Sequence, residues 1–273
     1  MRARLRNALR WASSWAIRRR ARPDALPAPL GPVRYSQGNE ELLIRRFFAD
    51  RRGGVFVDVG SAHWRDGSNT YALERHLDWH GIAVDALSHW EAGYRRNRPR
   101  TTFFNYIVTD HSGTVDPFYV AGSLSSMKRH HLEIFTNIDI DAVSIHRVPT
   151  TTLTDLLDAQ RVARIDLLSM DIEQAEPEAL SGFDIRRFRP LLVCVEVGVD
   201  DVRDGVEPYF EAAGYEWLEE YRVHDTLNWW FRPRRAEGDG ALFKADLSGA
   251  TRVGETRTAA DAREGPTSPQ TVL

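Results

Sequence analysis

The chain has 273 residues, of which 42% are hydrophobic, 36 are Lys or Arg, 39 are Asp or Glu and one is cysteine. A single cysteine excludes an internal disulfide and a cysteine-rich zinc site, and the apolar content is too high for a disordered chain. Length and composition predict one sizeable domain, and the absence of any uncharged apolar run of about 18 residues predicts no membrane-spanning helix.

The net formal charge of −3 is unevenly distributed. Residues 1–22 contain eight arginines and no acid, which leaves 28 basic and 39 acidic residues, a charge of −11, for the rest. A basic helix with Trp11 and Trp15 could bind an anionic membrane surface, whereas a solvated tail is the plainer alternative. Arginines follow the short apolar stretch Trp11–Ile17, which argues against a signal peptide. We expect a cytoplasmic protein, and contact of residues 1–22 with the inner face of a membrane is the alternative to a solvated tail.

Composition divides the chain into three parts. Four prolines between Ala21 and Pro32 indicate a linker, so residues 1–32 are interpreted as a basic arm and linker. After Pro233 apolar residues are scattered, which predicts a disordered tail over residues 236–273. Residues 33–235 remain as the folded domain.

Strand and helix patterns alternate within that domain. The predicted strands and extended segments, in chain order, are residues 54–59, 81–85, 101–108, 115–120, 144–150, 165–171, 191–197, 215–219 and 226–231. The predicted helices are residues 71–79, 88–96, 153–159, one that starts at 177–180, and 206–213. This alternation predicts an α/β fold with a mostly parallel central sheet, helices on both faces and a terminal antiparallel hairpin.

Acidic residues end the first two predicted strands. Asp58 and Gly60 close the first strand, where ligands bind in such sheets, and Gly60 allows a tight turn against a ligand. Asp85 ends the second strand, 25 residues after Gly60, and is placed to accept hydrogen bonds from ribose hydroxyls. The pattern predicts an adenosine-containing cofactor, with NAD as one option.

The loop after the first strand argues against NAD. A dinucleotide loop needs G-x-G-x-x-G, but Ala62 and Arg65 replace its second and third glycines. S-adenosylmethionine, which has no diphosphate, fits better. Asp58 could face its ammonium, although a strand-end cap is the alternative for Asp58 alone. The polar run 68–70 could bind its carboxylate.

Several segments resemble the FkbM family of S-adenosylmethionine-dependent methyltransferases. They are residues 58–61, 68–74, 81–85, 171–176 with Leu180 and Gly182, and 189–196, and Tyr35-Ser-Gln37 with Glu40 resembles a leading segment of one branch. The resemblance spans roughly residues 35–232, and the block 171–176 is its most specific part. It implies a Rossmann-like methyltransferase fold, S-adenosylmethionine as cofactor, and a hydroxyl on a sugar, glycan or secondary-metabolite scaffold as acceptor.

The sequence departs from the family pattern at four places. Gln174 stands where the family usually has glycine, Ser169 where it has lysine, and Ala86 where it has proline. His63-Trp64 replaces a small, Gly- and Asn-rich loop. A catalytically silent nucleoside-binding module, which engages a membrane surface or partner through its basic arm, is therefore the alternative function.

Two carboxylates define the predicted catalytic centre. Asp171 and Glu173 would point to one side of their strand, where they could hold a divalent cation or act as a general base. Capping of the next helix is the alternative for Glu173 and Glu176, and Glu196 is a second acid at the pocket. We predict the following site, with no metal ligand assigned: catalytic Asp171, Glu173 and His63, and cofactor-binding Asp58, Gly60, Ser61, Ser68, Asn69, Thr70, Asp85 and Ala86.

The predicted function is therefore an S-adenosylmethionine-dependent methyltransferase, with oxygen as the expected acceptor atom in a small molecule or glycan. The acidic body and scattered basic residues disfavour sequence-specific nucleic-acid binding, since the arm alone would give only general phosphate affinity. Nothing in the sequence indicates an oligomeric state.

Overall fold

The structure is a computed structural model that describes residues 26–133, 138–197 and 200–234, with backbone only for residues 200–204. The basic arm over residues 1–22, the start of the linker and the tail over residues 236–273 lie outside the described residues.

The described residues form ten strands and eight α-helices. The strands are β1 (Val55–Val59), β2 (His80–Asp85), β3 (Thr101–Asn105), β4 (Ile107–Val108), β5 (Val115–Val120), β6 (Ser144–Thr151), β7 (Leu167–Met170), β8 (Leu192–Glu196), β9 (Tyr215–Trp217) and β10 (Asn228–Pro233). The helices are α1 (Glu40–Phe48), α2 (Tyr71–Leu77), α3 (Glu91–Asn97), α4 (Arg129–Glu133), α5 (Leu153–Ala159), α6 (Glu176–Ser181), α7 (Ile185–Phe188) and α8 (Asp200–Ala212). Short 3-10 helices cover Ser88–Trp90, Gly122–Leu124, Ile140–Ala142 and Glu219–Val223.

Seven strands form the central sheet, in the order β3-β2-β1-β7-β8-β10-β9. The first five are parallel, whereas β10 runs antiparallel to both β8 and β9. The predicted α/β fold, its mostly parallel sheet and its terminal antiparallel hairpin are confirmed. The carboxyl ends of β1, β2, β7 and β8 consequently meet at one edge.

The central strands are buried on both faces, which explains their continuous apolar runs. Successive side chains point to opposite faces, so Val57 joins one core cluster and Phe56 the other. Phe210 of α8 stacks on Phe231 of β10 in the first cluster, with ring centroids 4.1 Å apart. Burial of each such ring stabilises the fold by about 1.5–3 kcal/mol, and the two clusters fix the helices on the sheet.

A second, three-stranded sheet was not predicted. Its order is β4-β6-β5, with β4 parallel and β5 antiparallel to β6. The predicted strand over residues 101–108 is divided at Tyr106, because its partner β2 ends at Asp85 and the chain then turns to pair with β6. The second sheet carries residues 121–143, here called the insertion, between β5 and β6.

Helix α1 was also missed by the sequence reading, although its pattern is amphipathic. Glu40 and Glu41 lie in its first turn and Arg45 and Arg46 in its last, which suits the helix dipole. Its apolar side packs into the second cluster. Among the described helices, none combines the length and apolar content needed to cross a lipid bilayer.

Candidate functional site

A cavity of about 730 Å³ opens at the carboxyl ends of the parallel strands. Of the eleven residues predicted for the site, ten line it: Asp58, Gly60, Ser61, His63, Ser68, Asn69, Asp85, Ala86, Asp171 and Glu173. Thr70 lies behind Asp58 instead, where its Oγ1 donates to Asp58 Oδ2 at 2.7 Å. The structure therefore brings the predicted residues into one place.

Gly60 forms the turn that ends β1. Its φ is +77°, and a Cβ at this position would lie 1.7 Å from the Asp171 carbonyl oxygen. The Gly60 N–H donates to Val84 O at 2.9 Å, which holds the turn against β2. Only glycine allows this close approach of the β1 and β7 ends.

Asp58 is buried beneath the polar run 68–70. Burial raises the pKa of Asp58, an effect opposed by the Thr70 hydrogen bond and by the nearby Arg98 guanidinium. Ser68 Oγ accepts from the Tyr71 N–H at 3.1 Å and so caps α2. Asn69 Nδ2 donates to Ser169 Oγ at 3.1 Å. Ser169, in place of the family's lysine, thus joins this polar network.

Asp85 ties two loops together. Its Oδ1 accepts from the Leu87 N–H at 2.7 Å, and its Oδ2 accepts from the Ala62 N–H at 2.8 Å. Burial raises the pKa of Asp85, while these two N–H donors oppose the rise. The carboxylate is thereby fixed at the cavity wall, and its remaining lone pairs can accept further bonds.

Three carboxyl groups converge on the other side of the cavity. Asp171, Glu173 and Glu196 each present an oxygen within 4.8 Å of the others, so they could hold a metal ion. Burial, with repulsion from neighbouring acids, raises the pKa of Glu173 to about 8 and that of Glu196 to about 7. Burial and the charge of Glu196 raise the pKa of Asp171 well above its usual value, and a hydrogen bond between the two carboxyl groups favours the proton on Asp171.

Glu176 does not line the cavity. It is buried at the start of α6, where its Oε1 accepts from the Ile172 N–H at 2.8 Å. Burial raises the pKa of Glu176 to about 7. Glu176 thus lies in the first turn of α6, where the capping alternative placed it, but it bonds the preceding loop, and the described structure shows no side-chain hydrogen bond at the cap of this helix.

His63 lies at the rim, next to the Trp90 ring at 5.5 Å between centroids. Its Nδ1 accepts from the Asp66 N–H at 2.9 Å, which requires an unprotonated Nδ1 and places the proton of the neutral ring on Nε2. His131 of the insertion lies nearer the acids, with Nε2 3.0 Å from Glu173 Oε2.

The insertion is fastened to the loop that carries Glu173. Ser126 Oγ donates to the Glu173 carbonyl at 2.8 Å, and Lys128 Nζ lies 2.6 Å from Glu178 Oε1. The insertion and β5 also supply cavity lining that the sequence reading did not assign: Phe118, Val120, Gly122, Ser123, Leu124, Ser125 and Met127. Its serine-containing polar stretch was the one signal that could have found them.

Gln174 and Glu173 both adopt positive φ values, 72° and 55°. This conformation explains physically why a glycine at position 174 is favoured in the family pattern. The Gln174 side chain also hydrogen-bonds the His131 ring, a contact that glycine cannot make.

Arg98 is a buried residue that no sequence pattern marks as part of the site. Its side chain pairs with Glu74, and its Nη1 donates to the Trp64 carbonyl at 3.0 Å. Nη2 donates to Thr70 Oγ1 at 3.1 Å. Arg98 thus stabilises the loop between β1 and α2 through hydrogen bonds to two of its residues.

The parallel sheet with acids at the ends of β1, β2 and β7 defines the class of Rossmann-like methyltransferases. The sequence matches the methyltransferase FkbM domain over residues 58–217, more than half of the chain. The chain therefore belongs to the FkbM methyltransferase family, and S-adenosylmethionine is its methyl donor. No curated protein sequence matches the chain significantly.

Solved structures of other methyltransferases are similar to this chain. A precorrin-6y C5,15-methyltransferase from Geobacter metallireducens is 10% identical, with a TM-score of 0.40 over 71% of this chain and 88% of that one. A TehB-like S-adenosylmethionine-dependent methyltransferase from Corynebacterium glutamicum is 12% identical, with a TM-score of 0.39 over 84% and 97%. An S-adenosylmethionine-dependent O-methyltransferase from Thermotoga maritima is 9% identical, with a TM-score of 0.39 over 72% and 66%.

The cavity has the features that a nucleoside cofactor without a diphosphate requires. Ser61 Oγ lines it, is buried, and has no hydrogen-bond partner among the described residues. Asp58 and Asp85 lie on the same side of the cavity, at the ends of adjacent strands paired through Val59 and Val84. A buried orphan hydroxyl beside two fixed carboxylates fits a polar ligand at this end.

Proposed function

We propose that this chain transfers the methyl group of S-adenosylmethionine to a hydroxyl oxygen of a small molecule, with a sugar, glycan or secondary-metabolite scaffold as acceptor. The convergence of Asp171, Glu173 and Glu196 in the cavity supports this proposal most directly. Attack by a hydroxyl needs a positioned acceptor for its proton, and a base works best with a pKa near the working pH.

We assign the cofactor to the β1 and β2 side of the cavity. Asp58 would face its ammonium, with Thr70 acting through Asp58, and Asp85 would accept from its ribose hydroxyls. The further residues proposed to bind it are Gly60, Ser61, Ser68, Asn69 and Ala86. The cofactor supplies an activated methyl group on a sulfonium.

Glu173 is the group we propose to accept the hydroxyl proton. Its pKa of about 8 makes it an effective base in mildly alkaline solution, and its side chain is 19% exposed, so an acceptor can reach it. Asp171, hydrogen-bonded to Glu196, would orient the hydroxyl. His63 is the weaker candidate because its Nδ1 lone pair is already used by the Asp66 N–H.

Calorimetric titration tests the cofactor assignment. The full chain should bind S-adenosylmethionine and S-adenosylhomocysteine but not NAD, and Asp85→Ala should weaken both by at least about tenfold, since two charge-assisted bonds are lost. Asp158→Ala, which removes an exposed carboxylate paired with Arg187, is the control and should bind normally. Equal binding by Asp85→Ala would overturn the assignment.

Methyl transfer separates the proposal from the silent-module alternative. Labelled S-adenosylmethionine, the full chain and neutral glycoside acceptors should yield a methyl ether. Tight cofactor binding without transfer to any acceptor would favour the silent module.

A location in the cytoplasm and contact with a membrane remain proposals. Sedimentation with anionic vesicles, with and without residues 1–22, tests the membrane contact.

A further inference from the structure

The cavity lining is one-sided in charge. Six carboxylic side chains line it, namely Asp58, Asp66, Asp85, Asp171, Glu173 and Glu196, and among the described lining residues there is no lysine or arginine. Two histidines also line the cavity, His63 and His89, and His63 Nδ1 accepts a hydrogen bond from the Asp66 N–H.

The basic side chains near the site are paired with acids. Arg65 does not line the cavity, and its Nε donates to the lining residue Asp66 at 2.8 Å, so Asp66 is already neutralised. Lys128 of the insertion is paired with Glu178 at 2.6 Å. Arg98 is buried below the loop after β1, paired with Glu74. Neither side chain lines the cavity, so neither offers a partner for an anionic ligand.

The acids on the acceptor side are already crowded. Asp171, Glu173 and Glu196 each present an oxygen within 4.8 Å of the others, and burial, with repulsion from neighbouring acids, raises the pKa of each. In the state that the proposed base requires, with Glu173 ionised, a phosphate or carboxylate beside it would add a like charge. His131 lies 3.0 Å from Glu173, but burial lowers its pKa and so disfavours a balancing positive charge there.

The rest of the acceptor side is neutral. Phe118, Leu124 and Met127 give it apolar surface, and Ser123 and Ser125 add hydroxyls near the mouth. These groups suit an acceptor that has an apolar face and several hydroxyls.

We propose that the acceptor entering this cavity is a hydroxyl compound that is neutral or bears an amine, and that phosphorylated, sulfated and carboxylated acceptors are excluded by the carboxylate lining. The inference rests on the proposed methyl transfer and names the charge class of its substrate.

The test uses the full chain, S-adenosylmethionine labelled in its methyl group, and a small-molecule extract of the cells that make the protein. Labelled products are separated on anion and cation exchangers, with a reaction lacking the protein as blank. We expect the labelled products to be neutral compounds, which pass through the anion exchanger, and amines, which bind the cation exchanger. Anionic products, which bind the anion exchanger, should contain at most about a hundredth of the label. Label that binds the anion exchanger, and loses that binding after phosphatase treatment, would overturn the inference but support methyl transfer. Label in no fraction would contradict methyl transfer, and the inference would fall with it.

A charge variant at the mouth tests the cause. Ser123 lines the cavity and is exposed, so Ser123→Lys should fold and add a cation beside the acids. We expect the ratio of anionic to neutral labelled products to rise at least about tenfold, while Ser123→Gln, of similar size without charge, leaves the ratio unchanged. Identical ratios in the two variants would show that lining charge does not select the acceptor.

Discussion

The three carboxyl groups at the ends of β7 and β8 are individually costly, because each is removed from water beside two others. A group of this kind holds its proton in the folded protein at a pH where the unfolded chain has released it. Glu173 shows this most clearly, since its pKa is about 8 in the fold against an ordinary value of 4.5. The site therefore combines the proposed base with a source of instability.

This cost gives the fold a defined pH dependence. Between about pH 4.5 and pH 8 the folded state binds more protons at Glu173 than the unfolded state, so the free energy of unfolding should fall as pH rises through this window. Glu173→Gln should reduce that fall by on the order of 2 kcal/mol, less than the full shift implies because water reaches the side chain. Chemical denaturation at pH 5 and pH 8 measures it. Glu219→Gln, at an exposed position, should keep the wild-type dependence, and an unchanged dependence in Glu173→Gln would contradict the prediction.

Gln174 allows a second test at a single position. Alanine usually gives a more stable folded protein than glycine, but at a φ of 72° we expect glycine to give the more stable one. Both Gln174→Ala and Gln174→Gly lose the contact with His131, but only glycine adopts this conformation without strain. Gln174→Gly should therefore be more stable than Gln174→Ala by about 1 kcal/mol in urea denaturation. An alanine variant that equals or exceeds the glycine variant would show that the left-handed conformation carries no cost here.

Residue type and position predicted part of the site. Asp58, Gly60 and Asp85 follow from strand ends and a tight turn, and Asp171 and Glu173 from a motif that also ends a strand. Arg98 could not be found in this way, because it reaches the site from a distant part of the chain through tertiary packing. His130 and His131 were considered as bases from the sequence, but the approach of His131 to Glu173 depends on the same kind of packing. His63 was selected by proximity in sequence, whereas its backbone bond depends on a loop conformation that the sequence does not reveal.

At the scale of elements, the insertion depends on few contacts for its position. Ser126 is fully buried and donates to the Glu173 carbonyl, and its backbone pairs with Tyr119 in an isolated bridge. Ser126→Ala removes one hydrogen bond worth about 1 kcal/mol, so amide hydrogens of residues 121–133 should exchange roughly fivefold faster. Mass spectrometry of exchanged peptides measures this.

The same experiment contains its own reference. Peptides from β1 and β2 should exchange as in the wild type, and Ser123→Ala, at an exposed position of the 3-10 helix Gly122–Leu124, should leave exchange in the insertion unchanged. Faster exchange throughout the sheet would mean that Ser126 stabilises the whole fold instead of fastening the insertion.

Elements that obey a local pattern were predicted well. The strand alternation gave β1, β2, β7 and β8 within one or two residues, since their burial on both faces makes continuous apolar runs. The division between β3 and β4 could not be foreseen, because residues 101–108 are uniformly compatible with a strand and only the end of β2 decides where pairing stops. Helix α1 had a recognisable pattern and was missed.

At the scale of the whole molecule, packed contacts extend further towards the N-terminus than the proposed domain boundary at residue 33. Leu26 packs against the second core cluster, and Arg45 Nη1 donates to the Ala28 carbonyl. A fragment of residues 26–234 should therefore unfold at higher urea concentration than a fragment of residues 33–235, by about 1–2 kcal/mol in the free energy of unfolding.

Both fragments should bind S-adenosylhomocysteine equally, because residues 26–32 lie outside the cavity lining. Equal stability of the two fragments would restore the boundary at residue 33. Loss of ligand binding in the shorter fragment alone would show that residues 26–32 shape the cavity from behind.

The sheet formed by β4, β5 and β6 has a consequence for how this enzyme can diverge. The insertion begins and ends on that sheet, while Asp58 and Asp85 belong to the seven-stranded one. Substitutions in the described part of the insertion can therefore reshape the proposed acceptor side while the proposed cofactor side is inherited intact. Enzymes descended from one ancestral methyltransferase could in this way come to methylate new acceptors through substitutions in the insertion alone.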